Sequence, residues 1–184
     1  MGSRGNKGKM SIKLVVLDCD GTLWDHLDVS SLTLPFRQVA PDSVEDAHGV
    51  RVTLFGGTRA LLAGLQERGI VISAASWNHP EPVFQIFHLL DIGRYFRHPQ
   101  VEFHPDKAAM ISRLLQTLAA EGLALAPSEV LYVDDRTLHI EHVRQVVGDV
   151  HFLQMGVDIA GPEGVLAYVD GIGICHSERS EESL

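Results

Sequence analysis

Ile12-Lys13-Leu14-Val15-Val16-Leu17-Asp18-Cys19-Asp20-Gly21-Thr22-Leu23-Trp24 is the stretch on which the reading of this chain turns. Its first six residues are mostly apolar, rich in β-branched side chains and ended by a turn, which predicts a buried β-strand. Two carboxylates follow at i and i+2, and at a strand end such residues point to the same side. Acids held that close repel one another unless a cation or a shared proton intervenes. Mg²⁺ meets that need, because it is hard and takes carboxylate and carbonyl oxygens. Gly21-Thr22 allows a tight turn whose backbone amides can face an anion. Metal, acid and anion cradle together point to phosphoryl chemistry. Taken alone, the acid pair also reads as ordinary turn chemistry after a strand, or as the Asp-x-Asp metal site of a glycosyltransferase.

The bulk of the chain narrows the field. Its 184 residues suit one domain with a real core. Hydrophobic content of 45% and charged content of 21% are those of a globular protein. A net charge of −9 argues against non-specific nucleic-acid binding and against an anionic membrane surface. Two cysteines, Cys19 and Cys175, offer no disulfide framework and fit a reducing, cytoplasmic setting. No apolar stretch is long enough to span a bilayer. Residues 1–10 read as a disordered leader without the apolar core of a signal peptide. Residues 175–184 read as a polar tail, which leaves a single domain over 11–174.

Outward from the first strand comes an irregular stretch at about residues 25–55, with Pro35, Pro41 and Gly49. Strand-like pieces at 36–39 and 50–54 favour a hairpin or flap there. Thr58 is expected to cap a helix running to about Arg68, stopped by Gly69. A strand at 70–75 leads to the turn Ser76-Trp77-Asn78-His79-Pro80, and Pro82 is expected to start a helix. A short strand is expected between 95 and 103, and a helix from Pro105 to about Ala120. A strand at 130–133 ends in Asp134-Asp135, followed by a helix over about 137–147 and a strand at 150–153. Strands alternating with helices predict an α/β fold, a Rossmann-like three-layer α/β/α sandwich with a mainly parallel sheet. In such sheets sites form beyond the carboxyl ends of the strands. Asp18, Asp20, Ser76, Lys107, Asp134 and Asp135 all fall there.

Each of these residues has a chemical reading and a plainer one. Ser76 is either a turn hydroxyl or a donor to a phosphate oxygen. Lys107 near a helix N-terminus opposes the dipole, unless cation and helix end bind one anion together. Asp134-Asp135 is either helix capping or part of the oxygen set that Mg²⁺ wants, and the two roles can coexist. Cys19 reads as a structural thiol. His139 and His142 share a helix face without matching ligands and read as structural. Trp24 and Trp77 read as core or as lining of a pocket mouth, with Asn78 and Arg37 as further contact candidates.

The ordered set Asp18-x-Asp20-Gly21-Thr22, Ser76, Lys107 and Asp134-Asp135 resembles the haloacid dehalogenase superfamily of phosphohydrolases. Thr22-Leu23-Trp24, Ala74-Ala75-Ser76, Leu90-Asp91-Ile92-Gly93-Arg94-Tyr95-Phe96 and Tyr132-Val133-Asp134-Asp135 are similar to its magnesium-dependent phosphatase-1 group. The resemblance implies a Rossmann-like core with a small flap and no large cap domain. It implies Asp18 as nucleophile forming an aspartyl-phosphate, and Asp20 as acid and then base. It implies Mg²⁺ on Asp18, the Asp20 carbonyl and Asp134, with Asp135 nearby. Ser76 and Lys107 would hold the phosphate, and Trp24, Trp77 and Asn78 would contact substrate. The implied activity is a Mg²⁺-dependent phosphomonoesterase acting on a phosphotyrosine-like ester or a sugar phosphate, in a small molecule or a phosphoprotein. A non-catalytic phosphate-binding or regulatory module on the same fold is the competing expectation. A receiver-like phosphoacceptor domain would place its acid pair after the first strand, whereas Asp134-Asp135 comes late.

Overall fold

Four aliphatic side chains in four residues, all buried, make Leu14–Leu17 a strand that is stable only between two apolar layers. That is its place in the computed structural model, which describes residues 11–174. The leader and tail expected at 1–10 and 175–184, with Cys175, lie outside the described residues. From β1 (Leu14–Leu17) the chain enters a flap of three short strands, β2 (Arg37–Ala40), β3 (Ser43–Glu45) and β4 (Arg51–Thr53). It then alternates α1 (Thr58–Glu67), β5 (Val71–Trp77), α2 (Pro80–Leu89), β6 (Gln100–Glu102) and α3 (Lys107–Ala120). β7 (Val130–Asp134), α4 (Ile140–Val146), β8 (His151–Gln154) and α5 (Glu163–Ile174) follow.

The main sheet has the order β6-β5-β1-β7-β8, parallel at every pairing. The chain steps outward from β1 through β5 to β6, then crosses back to β7 and β8. The order therefore reverses at β1, and the crevice at its carboxyl end is where an open α/β sheet binds ligands. Alternation along the strands sends side chains to two separate cores. Val15, Leu17, Ile72, Ala74, Leu131 and Val133 pack with α1, α2 and the flap. Leu14, Val16, Val130 and Tyr132 pack with α3 and α4. The result is the expected three-layer sandwich, and the flap is the insertion between β1 and α1.

Several boundaries differ from those expected. β5 runs on through Ser76 to Trp77, because Ala75, Ser76 and Trp77 pair with β6. Thr58 does not cap α1. Gly57, at φ 91°, holds the cap position, and the Thr58 hydroxyl donates to the Leu23 carbonyl at 3.1 Å. α2 starts at Pro80 rather than Pro82. α3 starts at Lys107, with the Asp106 carboxylate accepting from the Ala109 N–H at 2.9 Å. α4 starts only at Ile140. β3 and α5 carried no sequence signal strong enough to be expected.

The flap is tied down by one acid. Asp46 is buried, and its carboxylate accepts from the backbone N–H groups of Thr33 at 3.0 Å, His48 at 2.8 Å and Val50 at 2.8 Å. The Thr33 N–H, helped by those of Val50 and His48, holds the Asp46 carboxyl below its usual range. Asp46→Ala is expected to lower the urea midpoint at pH 7 and to expose the flap to protease. A folded pKa below the unfolded one gives a contribution that is complete above the unfolded value and is lost as pH falls through the folded one. The gap between wild type and Asp46→Ala is therefore expected to close on going from pH 7 to below about 4. A gap that stays constant with pH would contradict the role assigned to the carboxylate.

Candidate active site

The crevice at the end of β1 collects residues far apart in the chain. The Asp18 N–H donates to the Val133 carbonyl at 2.8 Å, which fixes the Asp18 backbone beside β7. Lys107, the first residue of α3, is fully buried and turns its ammonium back over the sheet end. Its Nζ donates to Asp18 Oδ1 at 2.5 Å, to the Ala75 carbonyl at 2.7 Å and to Asp134 Oδ2 at 3.2 Å. Three donors meet three acceptors, so in this arrangement Lys107 has no N–H left for a phosphate oxygen. This departs from the expectation that Lys107 and the helix end bind one anion. The buried ammonium is instead shared by two acids at the ends of different strands.

Asp134 is held on both oxygens. The Arg136 N–H donates to Oδ1 at 2.9 Å, and the Tyr132 hydroxyl donates to Oδ2 beside Lys107. Burial works against the Asp134 carboxylate, but Lys107 and the Tyr132 hydroxyl hold it below the ordinary range. Asp18 goes the other way. Burial pushes it up to about 7, with Lys107 opposing that rise and Asp134 adding to it. Burial pulls the Lys107 ammonium down, but Asp18 and Asp134 outweigh it and leave Lys107 above its ordinary value. One cation among two buried carboxylates leaves the cluster one positive charge short.

The missing charge has a place. Among the described residues, Asp18 Oδ2 and Asp135 Oδ1 are buried atoms without a hydrogen-bond partner. Asp18, Asp134 and Asp135 offer ligand oxygens that all lie within 4.8 Å of one another. Hard oxygens in such a group, with a buried lone pair unspent, fit a small divalent cation such as Mg²⁺. Gly21 brings the first loop up against this group. With φ at 65°, it lies where a Cβ would meet Asp135 Oδ2 at 2.7 Å. A side chain here would be strained and would displace Asp135.

The Asp20 carboxylate stands apart from that acid group. Trp24 Nε1 donates to Asp20 Oδ1 at 2.7 Å, and Asn78 Nδ2 donates to Asp20 Oδ2 at 2.8 Å. Burial raises the Asp20 pKa, against the pull of Asn78 and Trp24. Asn78 also donates to Ser76 Oγ at 2.9 Å and is itself oriented by the Ser30 hydroxyl at 2.6 Å. Ser76 is thus brought beside Asp20. Trp24 does not line the mouth. It is fully buried, with its ring edge-on to Phe87 at 6.1 Å, and it reaches the site through Asp20. Asn78 is buried too and acts through Asp20 and Ser76. Trp77 is 38% exposed and does line the mouth, with Asp20, Leu27, Asp28, Phe103 and Arg136. Arg37 lies in the flap, paired with Glu45 at 2.8 Å. Cys19 points into the core, and burial pushes its thiol well up.

Sequence reasoning missed Tyr132, Ser30 and Arg136. Tyr132 was within reach, since it sits two residues before Asp134 on one strand and so shares its face. Nothing in the sequence marks Ser30.

A family model described as Acid Phosphatase matches residues 11–160. The chain is similar in structure to the N-terminal part of a Bacteroides fragilis protein containing a phosphatase domain complexed with Mg. Identity there is 20%, 90% of this chain and 40% of that chain are covered, and the TM-score is 0.57. A haloacid dehalogenase-like hydrolase from Xanthomonas campestris gives 13% identity, 92% and 99% coverage and a TM-score of 0.62. The 3-deoxy-D-manno-octulosonate 8-phosphate phosphatase of Yersinia pestis gives 17% identity, 95% and 86% coverage and a TM-score of 0.54. At these identities the likeness is one of fold, and the chain spans less than half of the Bacteroides structure.

Proposed function

The chain belongs to the acid phosphatase family and has the haloacid dehalogenase fold, and from that premise we propose that it is a Mg²⁺-dependent phosphomonoesterase working through an aspartyl-phosphate. The observation that carries the reading is the triad of Asp18, Lys107 and Asp134, with Asp18 Oδ2 buried and unspent. Asp18, Asp134 and Asp135, with the Asp20 carbonyl, would hold the metal. When bound, Mg²⁺ offsets repulsion between carboxylate and phosphate and steadies charge on the phosphoryl oxygens.

The chain's own groups account for the remaining work. Lys107 fixes the Asp18 carboxylate and keeps it charged, so that one oxygen can attack phosphorus. The bond from phosphorus to the ester oxygen breaks, and Asp20 gives that oxygen its proton. Asp20 then takes a proton from water as the water attacks the phosphorus of the aspartyl-phosphate, which releases phosphate and restores Asp18. A carboxyl raised by burial yet held by neutral donors from Asn78, Trp24 and the Val29 backbone suits both duties. Ser76 would donate its hydroxyl hydrogen to a phosphoryl oxygen. The substrate is a phosphate monoester, phosphotyrosine-like or a sugar phosphate.

The test is hydrolysis of phosphate monoesters with Mg²⁺ and with EDTA, together with hydroxylamine trapping during turnover. Turnover that stops with EDTA, and a hydroxamate at Asp18, are expected. Turnover without a trapped adduct at Asp18 would defeat the covalent route. A protein that phosphate stabilises but that hydrolyses no ester would be the binding module instead.

A further inference from the structure

The mouth beside Asp20 has a composition that a general phosphate site does not need. Three of its six lining residues are large apolar side chains turned to solvent, Leu27 at 73%, Phe103 at 61% and Trp77 at 38% exposure. Scattered exposed apolar residues are normal on a protein surface. These three come from three different parts of the chain, the loops after β1 and β6 and the last residue of β5, and share one cavity of about 240 Å³. That is below the roughly 300–1,000 Å³ of pockets that bury drug-sized ligands, so it suits part of a ligand rather than a large whole one.

The wall is also held in place. Phe103 stacks face to face on His79, with centroids 3.8 Å apart and ring planes 6° from parallel. His79 is fixed in turn, its N–H donating to Ser30 Oγ at 2.7 Å. The Asn78 N–H donates to the Glu102 carbonyl at 3.0 Å and ties the two loops together. An aromatic ring fixed before the ligand arrives loses little entropy on binding. Ser30 also orients Asn78 and through it Asp20. One hydroxyl therefore supports both the wall and the acid beside it.

Resting on the phosphatase reading, we propose that Phe103, braced by His79, and Leu27 form with Trp77 the leaving-group subsite of this enzyme. The subsite selects phosphate monoesters whose alcohol brings a flat apolar face. Asp20 is in the same cavity, so the group whose oxygen it protonates must lie against these side chains. A ring laid on Phe103 and Trp77 removes apolar surface from water on both partners. A polyol there would lose water from its hydroxyls and find only Asp28 and Arg136 as polar partners beyond Asp20. Aromatic-faced alcohols are therefore preferred over polyols.

The test compares kcat/KM for benzyl phosphate and glycerol 1-phosphate in Mg²⁺, for the wild type, Phe103→Ala and Phe103→Tyr. Both esters release primary alcohols, so the ratio reports the fit of the leaving group rather than the reactivity of a phenol. The wild type is expected to favour benzyl phosphate at least tenfold, and Phe103→Ala to cut the ratio by about tenfold, mainly through the benzyl KM. Phe103→Tyr keeps the ring face and should hold the ratio, and Leu27→Ala should lower it in the same direction. A wild-type ratio near one, or a ratio that Phe103→Ala leaves in place, overturns the subsite while the phosphatase reading stands. If the wild type turns over other phosphate monoesters but not benzyl phosphate, the subsite is overturned alone; if it hydrolyses no phosphate monoester, the phosphatase reading falls and the subsite with it.

Discussion

Asp18→Asn is expected to lower kcat by at least about 10³-fold without unfolding the protein. The amide keeps the shape of the carboxylate and can still accept from Lys107. It is a poor nucleophile, and it cannot give the acyl-phosphate. The stability side of this prediction distinguishes it from a folding defect. Burial, with the push of Asp134, raises Asp18 to about 7 in the fold against the pull of Lys107. An acid whose folded value exceeds its unfolded value of about 3.9 costs stability as pH rises between the two. Asn does not titrate, so in EDTA at pH 8 the variant is expected to match or exceed the wild type in urea midpoint. An inactive Asp18→Asn that is also markedly less stable would show that the carboxylate is needed for structure, and the assignment as nucleophile would lose its support.

Lys107→Met is expected to fail in the opposite way. The buried ammonium is shared by Asp18, Asp134 and the Ala75 carbonyl. Methionine fills similar space and leaves two buried carboxylates facing each other with no cation. Removing one partner of a buried ion pair typically costs about 3–5 kcal/mol, measurable here by urea unfolding at pH 7 in EDTA. Mg²⁺ is expected to recover part of that loss, since binding to the native acids alone shifts the folding equilibrium. Activity should fall by about 10²–10³-fold, the scale of losing one fixed charge beside the reacting group. A Lys107→Met protein as stable and as active as the wild type would show that the ammonium does not organise the acids.

The two variants separate duties that the sequence lists side by side. Lys107 read as an anion binder from its position in the first turn of a helix. Its contacts make it a brace for Asp18 and Asp134, with every N–H spent on protein oxygens. Trp24 read by default as core, with lining of a pocket mouth as the alternative. Full burial and the bond from its indole N–H to Asp20 make it a support for the acid. Ser76 read as the residue after a strand, yet β6 pairs alongside and carries β5 past it. In each case local pattern placed the residue at the right end of the sheet, and a partner distant in sequence decided what its side chain does.

Sequence alone determined that strands alternate with helices, that the acids, serine and lysine fall at the carboxyl ends of strands, and that their order matches a phosphohydrolase. Those features are local, because period, turn residues and short motifs act within a few positions of the chain. Tertiary structure alone decided which acid is neutralised, which one keeps a free buried lone pair, and which aromatic side chains face the solvent beside Asp20. These depend on distances between loops separated by tens of residues. Burial and pairing there outweigh the propensity of any single position.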